Sequence, residues 1–161
     1  MSGDPSQIYE DTANQWVSCI ESFLLTASDA LGNSVISSAG ASVLQESLVS
    51  LFTTATLHSD PVYFSSGLIS AITSYVQLCI LETTITPPGV GISNIVTLVA
   101  GAPIAIPALI AVVSIPTTST RTQAEAIAGV ITTLVMSAVT TLMYTPPPPA
   151  SVPVPIVQSL L

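Results

Sequence analysis

The sequence contains no lysine, and Arg121 is its only arginine. Nine acidic residues face that one basic side chain, and the net charge is −8 over 161 residues. Nucleic-acid binding needs clustered Lys and Arg to displace counterions, so the composition argues against a nucleic-acid partner. The same lack removes the basic surface that attracts anionic lipid. Charged residues make up 6% of the chain, against about 25% in an ordinary domain. A free monomer usually stays soluble with a surface that is about 25–35% charged. Serine and threonine must supply most of the polar surface instead. Such a surface costs little to desolvate and loses little side-chain entropy when ordered. It suits the interior of a large protein assembly, or a membrane.

Cysteine and histidine are nearly absent. Cys19 and Cys79 are the only cysteines, with no CxxC or Cys/His cluster. Two free buried thiols are the expectation, and a Cys19–Cys79 disulfide stays open. His58, the single histidine, stands beside Ser59 and Asp60. Neighbours on one turn cannot converge as a catalytic triad must. A His-based metal site would need a symmetric oligomer or carboxylates alone. The acids are scattered. Glu10 and Asp11 point apart on a helix, and nothing requires Glu82 and Glu125 to meet. The stretch GVGIS at 89–93 lacks phosphate-binding spacing. No catalytic, cofactor or metal residue is assigned, and the chain is not read as an enzyme. Its first residues, MSGDPSQIYED, lack the basic and apolar regions of a signal peptide, so none is expected.

What is present is apolar periodicity. Polar or small residues recur at Thr122, Glu125, Gly129, Thr132, Ser137 and Thr140. This 3.6-residue period leaves an apolar face of Ile127, Val130, Ile131, Leu134, Val135, Ala138 and Leu142. Pro146, Pro147, Pro148 and Pro149 follow and forbid further helix. Similar stripes predict helices over 7–31, 34–57, 61–84 and 122–144. Trp16 lies on the first stripe as an anchor in the core or at an interface. Pro61 opens the third helix, with Asp60 or Ser59 as its cap. Gly32 and Asn33 stop the first. The charge-free stretch 92–115 is broken by Gly101, Pro103 and Pro107. A short helix near 93–100 and a second piece from 107 to 114 are expected, and a β reading of its Val/Ile-rich parts stays open. A charge at Leu98 or Leu109 is expected to destabilise the protein.

An internal similarity accompanies the stripes. Shifted by 59 residues, Ile72, Thr73, Val76, Thr86, Pro87 and Pro88 fall on Ile131, Thr132, Val135, Thr145, Pro146 and Pro147. Residues 34–57 likewise fall on 93–116. The fold class expected is therefore all-α: an antiparallel bundle of about five helices, as two pseudo-repeated hairpins behind an N-terminal helix. Residues 1–145 would form this domain, and 146–161 a proline-rich extended arm. The arm would deliver Ile156, Val157, Leu160 and Leu161 to a neighbour.

These features point to a structural subunit of a large assembly. A minor or auxiliary virion protein, assembled in the host cytoplasm, is the setting the composition favours. Its partners would be other protein subunits, of the same or a different kind. The interface residues would be Arg121, Trp16, Pro146, Pro147, Pro148, Pro149, Ile156, Val157, Leu160 and Leu161. One alternative is a small membrane protein, since 92–115 is long enough to span a bilayer. Another is a helical module that binds an apolar ligand between its hairpins.

Overall fold

Three of the four stretches expected as long helices divide into a helix and a strand, and the first ends early as a helix followed by a loop. The computed structural model describes residues 5–54, 59–84, 89–115, 119–147 and 152–161. His58 and the pair Pro148 and Pro149 lie outside what is described. Among the described residues there are five helices: α1 Pro5–Leu24, α2 Ala41–Thr54, α3 Pro61–Val76, α4 Ala102–Ser114 and α5 Thr120–Met136. Five strands join them: β1 Val35–Ser38, β2 Cys79–Leu81, β3 Val90–Val99, β4 Ala138–Thr145 and β5 Val154–Ser159. The strands form one antiparallel sheet in the order β1-β2-β3-β4-β5. The fold is thus mixed α and β, and the all-α bundle is overturned.

The reason is clearest at β4. Ala138, Thr140 and Leu142 are buried, while Val139, Thr141 and Met143 between them are less so. That is the two-residue period of a strand. Ala138 and Leu142 also continue the helical seam of Leu134 and Val135, so the pattern alone suited both forms. Ser137 ends α5, and its N–H returns to Leu134 O. The β-branched residues Val139, Thr140 and Thr141 then favour extended chain. In 92–115 the open β reading is the correct one for the first piece, which is β3. The second piece, α4, begins at Ala102 with Pro103 in its first turn and runs through Pro107.

The tail is corrected too. The expected arm contains β5, which pairs with β4 of its own chain from Val139↔Ser159 to Tyr144↔Val154. Leu160 is buried, and its N–H donates to Ala138 O. Gly32 does take a positive φ of 83°, but in the loop after α1, whose helix has already ended at Leu24. Asp60 caps α3 as expected, accepting from Tyr63 N at 2.9 Å ahead of Pro61.

The chain therefore reads α1, then β1-α2-α3-β2, then β3-α4-α5-β4, then β5. The two βααβ units correspond closely. Pro61 and Thr120 open α3 and α5, a shift of 59 (120 − 61). Cys79 and Ala138 open β2 and β4 at the same shift (138 − 79). In the first half of each unit the shift is 61. Gly40 and Gly101 (101 − 40) stand just before α2 and α4, and buried Leu48 matches buried Leu109. A register irregularity falls between Val35 and Ser37 in one unit and between Val96 and Leu98 in the other. The similarity seen in sequence has a structural counterpart, with strand–helix–helix–strand replacing the helical hairpin.

All five helices stand on one side of the sheet. Each packs on the next in chain order, α1 on α2 through to α4 on α5. A single core fills the space between helices and sheet, joining Leu48, Leu68, Ile72 and Leu134 to Val35, Cys79, Val96 and Ala138. Residues 27–29 link the two edges of the sheet. Val35 N donates to Ala27 O, Ser28 bridges Ser34, and Asp29 bridges Leu160. The two edges of the sheet are thereby joined through one segment.

Candidate interface surfaces

None of the residues in the five strands is charged. The acids whose positions are described stand on helices or loops, at Glu10, Asp11, Glu21, Asp29, Glu46, Asp60, Glu82 and Glu125. Strand alternation then decides what the outer face displays. Cross-strand pairing sets Ile80 beside Ile95, Ile95 beside Thr141, and Thr141 beside Val157, in one row over four strands. Flanking pairs are Ser93↔Met143 and Leu98↔Val139. Ile36, Ile80, Ile95, Leu98 and Val157 are all at least 45% exposed. Thr97 Oγ1 and Thr141 Oγ1 lie 3.1 Å apart, so one hydroxyl donates to the other, and Thr97 Oγ1 also reaches Val139 O at 3.3 Å. A face of this size, without charge and with bulky aliphatics in its centre, is what a monomer in water rarely keeps bare.

The inner side holds one buried charge. Asp29 is 1% exposed, in the segment that joins the two sheet edges. Its Oδ1 accepts from Leu31 N and Asn33 N at 2.9 Å each. Its Oδ2 accepts from Asn33 Nδ2 at 2.9 Å and Asn94 Nδ2 at 2.8 Å. Asn94 Nδ2 also donates to Glu82 O, and Asn33 Oδ1 accepts from Thr84 N. Burial by itself raises the carboxyl, but the donors on Asn33, Asn94 and Leu31 outweigh it and hold the group below its usual 3.8. Four satisfied acceptor contacts make this a structural knot, joining the loop after α1 to β3 and the end of β2.

Three grooves mark the helix layer. Trp16, Cys19, Ile20 and Phe23 of α1 face Ile127 and Ile131 of α5 across an apolar groove of about 520 Å³. The other two grooves are equivalents of each other. One lies between α2 and α3 over Gly40, Val43, Ser47, Gly67 and Ser70, with a volume of about 210 Å³. The other lies between α4 and α5 over Gly101, Ile104, Ala108, Ala126 and Gly129, at about 310 Å³. Position by position, their linings follow the same shifts of 61 and 59 residues.

The residues singled out from sequence do not form one site. Arg121 is 88% exposed and pairs along its own helix, with Glu125 at 2.8 Å. Glu82 accepts instead from Ser34 N. Trp16 is half-buried, its ring 6.0 Å from that of Phe52. Pro146 is half-buried and Pro147 exposed. Ile156 faces the helices half-buried, Leu160 is buried, and Leu161 is exposed. Val157 alone among them lies on the outer sheet face. Cys19 is exposed and Cys79 buried, both as free thiols. Burial pushes the Cys79 thiol up to about 11, against a lowering contact with Ser38. Among the described residues no cluster of three His, Cys, Asp or Glu side chains could hold a metal. Sequence reasoning missed the outer face, whose signal was the alternation in AVTTLMYT and the absence of charge from every strand. Comparison with protein-family models, curated proteins and solved structures returns no match.

Proposed function

We propose that the chain is a non-enzymatic structural subunit of a larger protein assembly, held to its neighbours through the outer face of its sheet. The observation that carries this is the uncovered, charge-free aliphatic face across β2, β3, β4 and β5. Apolar surface removed from water contributes about 25 cal/mol per Å². The cores of protein interfaces are likewise depleted of charge. Acidic side chains confined to the helix layer and loops leave that side for solvent. A virus particle is the setting favoured by the composition; that part of the reading rests on composition alone.

The groove between α1 and α5 supports a second reading, an apolar ligand held against Trp16, Phe23 and Ile131. The membrane alternative loses its span. Residues 92–115 divide into β3 and α4, and no described helix is long and apolar enough to cross a bilayer.

Gradient sedimentation of extract from the native source tests the assembly reading. The chain is expected in fast fractions with other proteins, and Ile95→Lys is expected to shift it to slow ones. A native chain that sediments as a free small protein would sink the reading.

A further inference from the structure

We infer that the outer sheet face binds the same face of a second copy of this chain, about a two-fold axis running along the strands between β3 and β4. The inference rests on the interface reading of that face. Its ground is a size pattern in the register. Each outer pair between β3 and β4 sets a larger side chain beside a smaller one: Ile95 beside Thr141, Met143 beside Ser93, and Leu98 beside Val139. The two-fold axis lays β3 of one copy over β4 of the other. Ile95 of each copy then rests on Thr141 of its mate, Met143 on Ser93, and Leu98 on Val139. Further out, β2 lies over β5, and Ile80 meets Val157. At these three β3–β4 positions the larger side chain faces the smaller one, and each contact occurs twice, as an isologous interface requires.

Charge and polarity agree with this partner. Each copy carries −8, yet no charged residue lies in any strand. Two like-charged copies therefore approach without placing like charges in contact. The Thr141 hydroxyl is already engaged by Thr97, so covering this position strands no donor. Five strands at ~4.8 Å spacing and about six residues at ~3.3 Å give a face roughly 20 Å on a side. Two such faces bury on the order of 1,000 Å², the size at which specific interfaces begin.

Analytical ultracentrifugation of the full chain over a concentration series tests this, with far-UV circular dichroism to verify folding. Wild type is expected as a dimer that dissociates on dilution, and Ile95→Lys as a folded monomer. Thr141→Ile sets bulk on bulk, and Ile95→Thr sets hollow on hollow. Each alone is expected to weaken the dimer about tenfold. The double variant I95T/T141I restores the pattern and is expected within about threefold of wild type. A double variant no better than the single ones overturns the two-fold arrangement. So does a wild type that stays monomeric at every concentration. If that monomer floats with neutral phosphatidylcholine vesicles and Ile95→Lys does not, lipid is the occupant. If the monomer still enters fast fractions of native extract and Ile95→Lys does not, the self-pairing falls and the assembly reading stands. If Ile95→Lys dimerises and assembles like wild type, both fall.

Discussion

The two faces of the sheet are made of much the same residue types, and only one is covered. On β3, Val96 and Val99 face the helices and are at most 5% exposed, while Ile95 and Leu98 face outward at 45% and 52%. Hydrophobicity alone does not separate these faces. Polar detail does. The inner side hosts a fully hydrogen-bonded carboxylate at Asp29, and the outer side hosts no charge. An interior built by one chain can fix donors around a charge, because the chain brings them. A face awaiting another molecule gains more from containing nothing that needs such donors.

The sharpest way to break this comparison is to place a charge on each side. Leu109 is fully buried on α4, and Leu98 lies on the outer face. Leu109→Asp is expected to cost more than about 4 kcal/mol, since the carboxylate has no partner there. Leu98→Asp is expected to cost about 1 kcal/mol, the range of strand propensity. Urea unfolding of both variants measures the difference. The sequence alone placed both leucines in one buried segment; equal costs would restore that view and remove the open face.

The second test concerns the one charge that the inner side tolerates. Asp29→Ala leaves Leu31 N, Asn33 N and the amides of Asn33 and Asn94 without their acceptor. A loss of about 3 kcal/mol at neutral pH is expected. The pH dependence has a definite sign. The folded carboxyl titrates below its ordinary value, so its contribution is present above that ordinary value and is lost as pH falls through the folded pKa. The gap between wild type and Asp29→Asn should therefore narrow as pH falls below 3.8. A gap that stays constant into acid would mean that the carboxylate gains nothing from its donors.

These contrasts also explain what the sequence made legible. The start of α3 was readable because Asp60 and Pro61 act locally, one as acceptor and one by its fixed φ. The internal similarity was readable in α3 and α5, where the shift stays at 59. It blurred in the first halves, where two more residues move the shift to 61. Strands β1 and β2 are four and three residues long. No period can be counted in so short a run, and their form is set by partners some 40 residues away. Strand β5 was hidden by Pro155 within it and the prolines before it. Pro155 is tolerated because β5 pairs along its length with β4 alone, leaving the proline nitrogen no ladder bond to supply. The outer face became visible only once register placed Ile80, Ile95, Thr141 and Val157 in a row.

A smaller effect separates the two βααβ units. Gly67 sits where an added Cβ would come within 2.7 Å of Leu51 Cδ1. Gly129, on the equivalent helix of the second unit, has nothing within 4 Å of that position. Gly129→Ala is therefore expected to stabilise the protein by about 0.5–1 kcal/mol, through lower unfolded-state entropy and better helix propensity. Gly67→Ala should give less than that, or a loss, because Leu51 must move. Thermal melts of the two variants compare a packed with an open glycine site, and equal gains would mean that the α2–α3 contact is looser than its distances indicate.

The smallest effect concerns the only fixed positive charge. Arg121 and Glu125 are 88% and 64% exposed, and their contact is an i,i+4 pair with the basic residue first, the weaker order. Water and salt screen such a pair, so Arg121→Ala should change stability by no more than about 0.3 kcal/mol. Its value lies in the contrast with Ile95→Lys. Arg121 stands on a helix among exposed neighbours, away from the sheet. If the outer sheet face carries association, Arg121→Ala leaves sedimentation in native extract unchanged while Ile95→Lys abolishes the fast fractions. If a neighbour instead docks on the acidic helix layer through this lone cation, the ranking reverses. Arg121→Ala would then release the chain, with its melting temperature unmoved, and the division between a solvated helix layer and a docking sheet would fail.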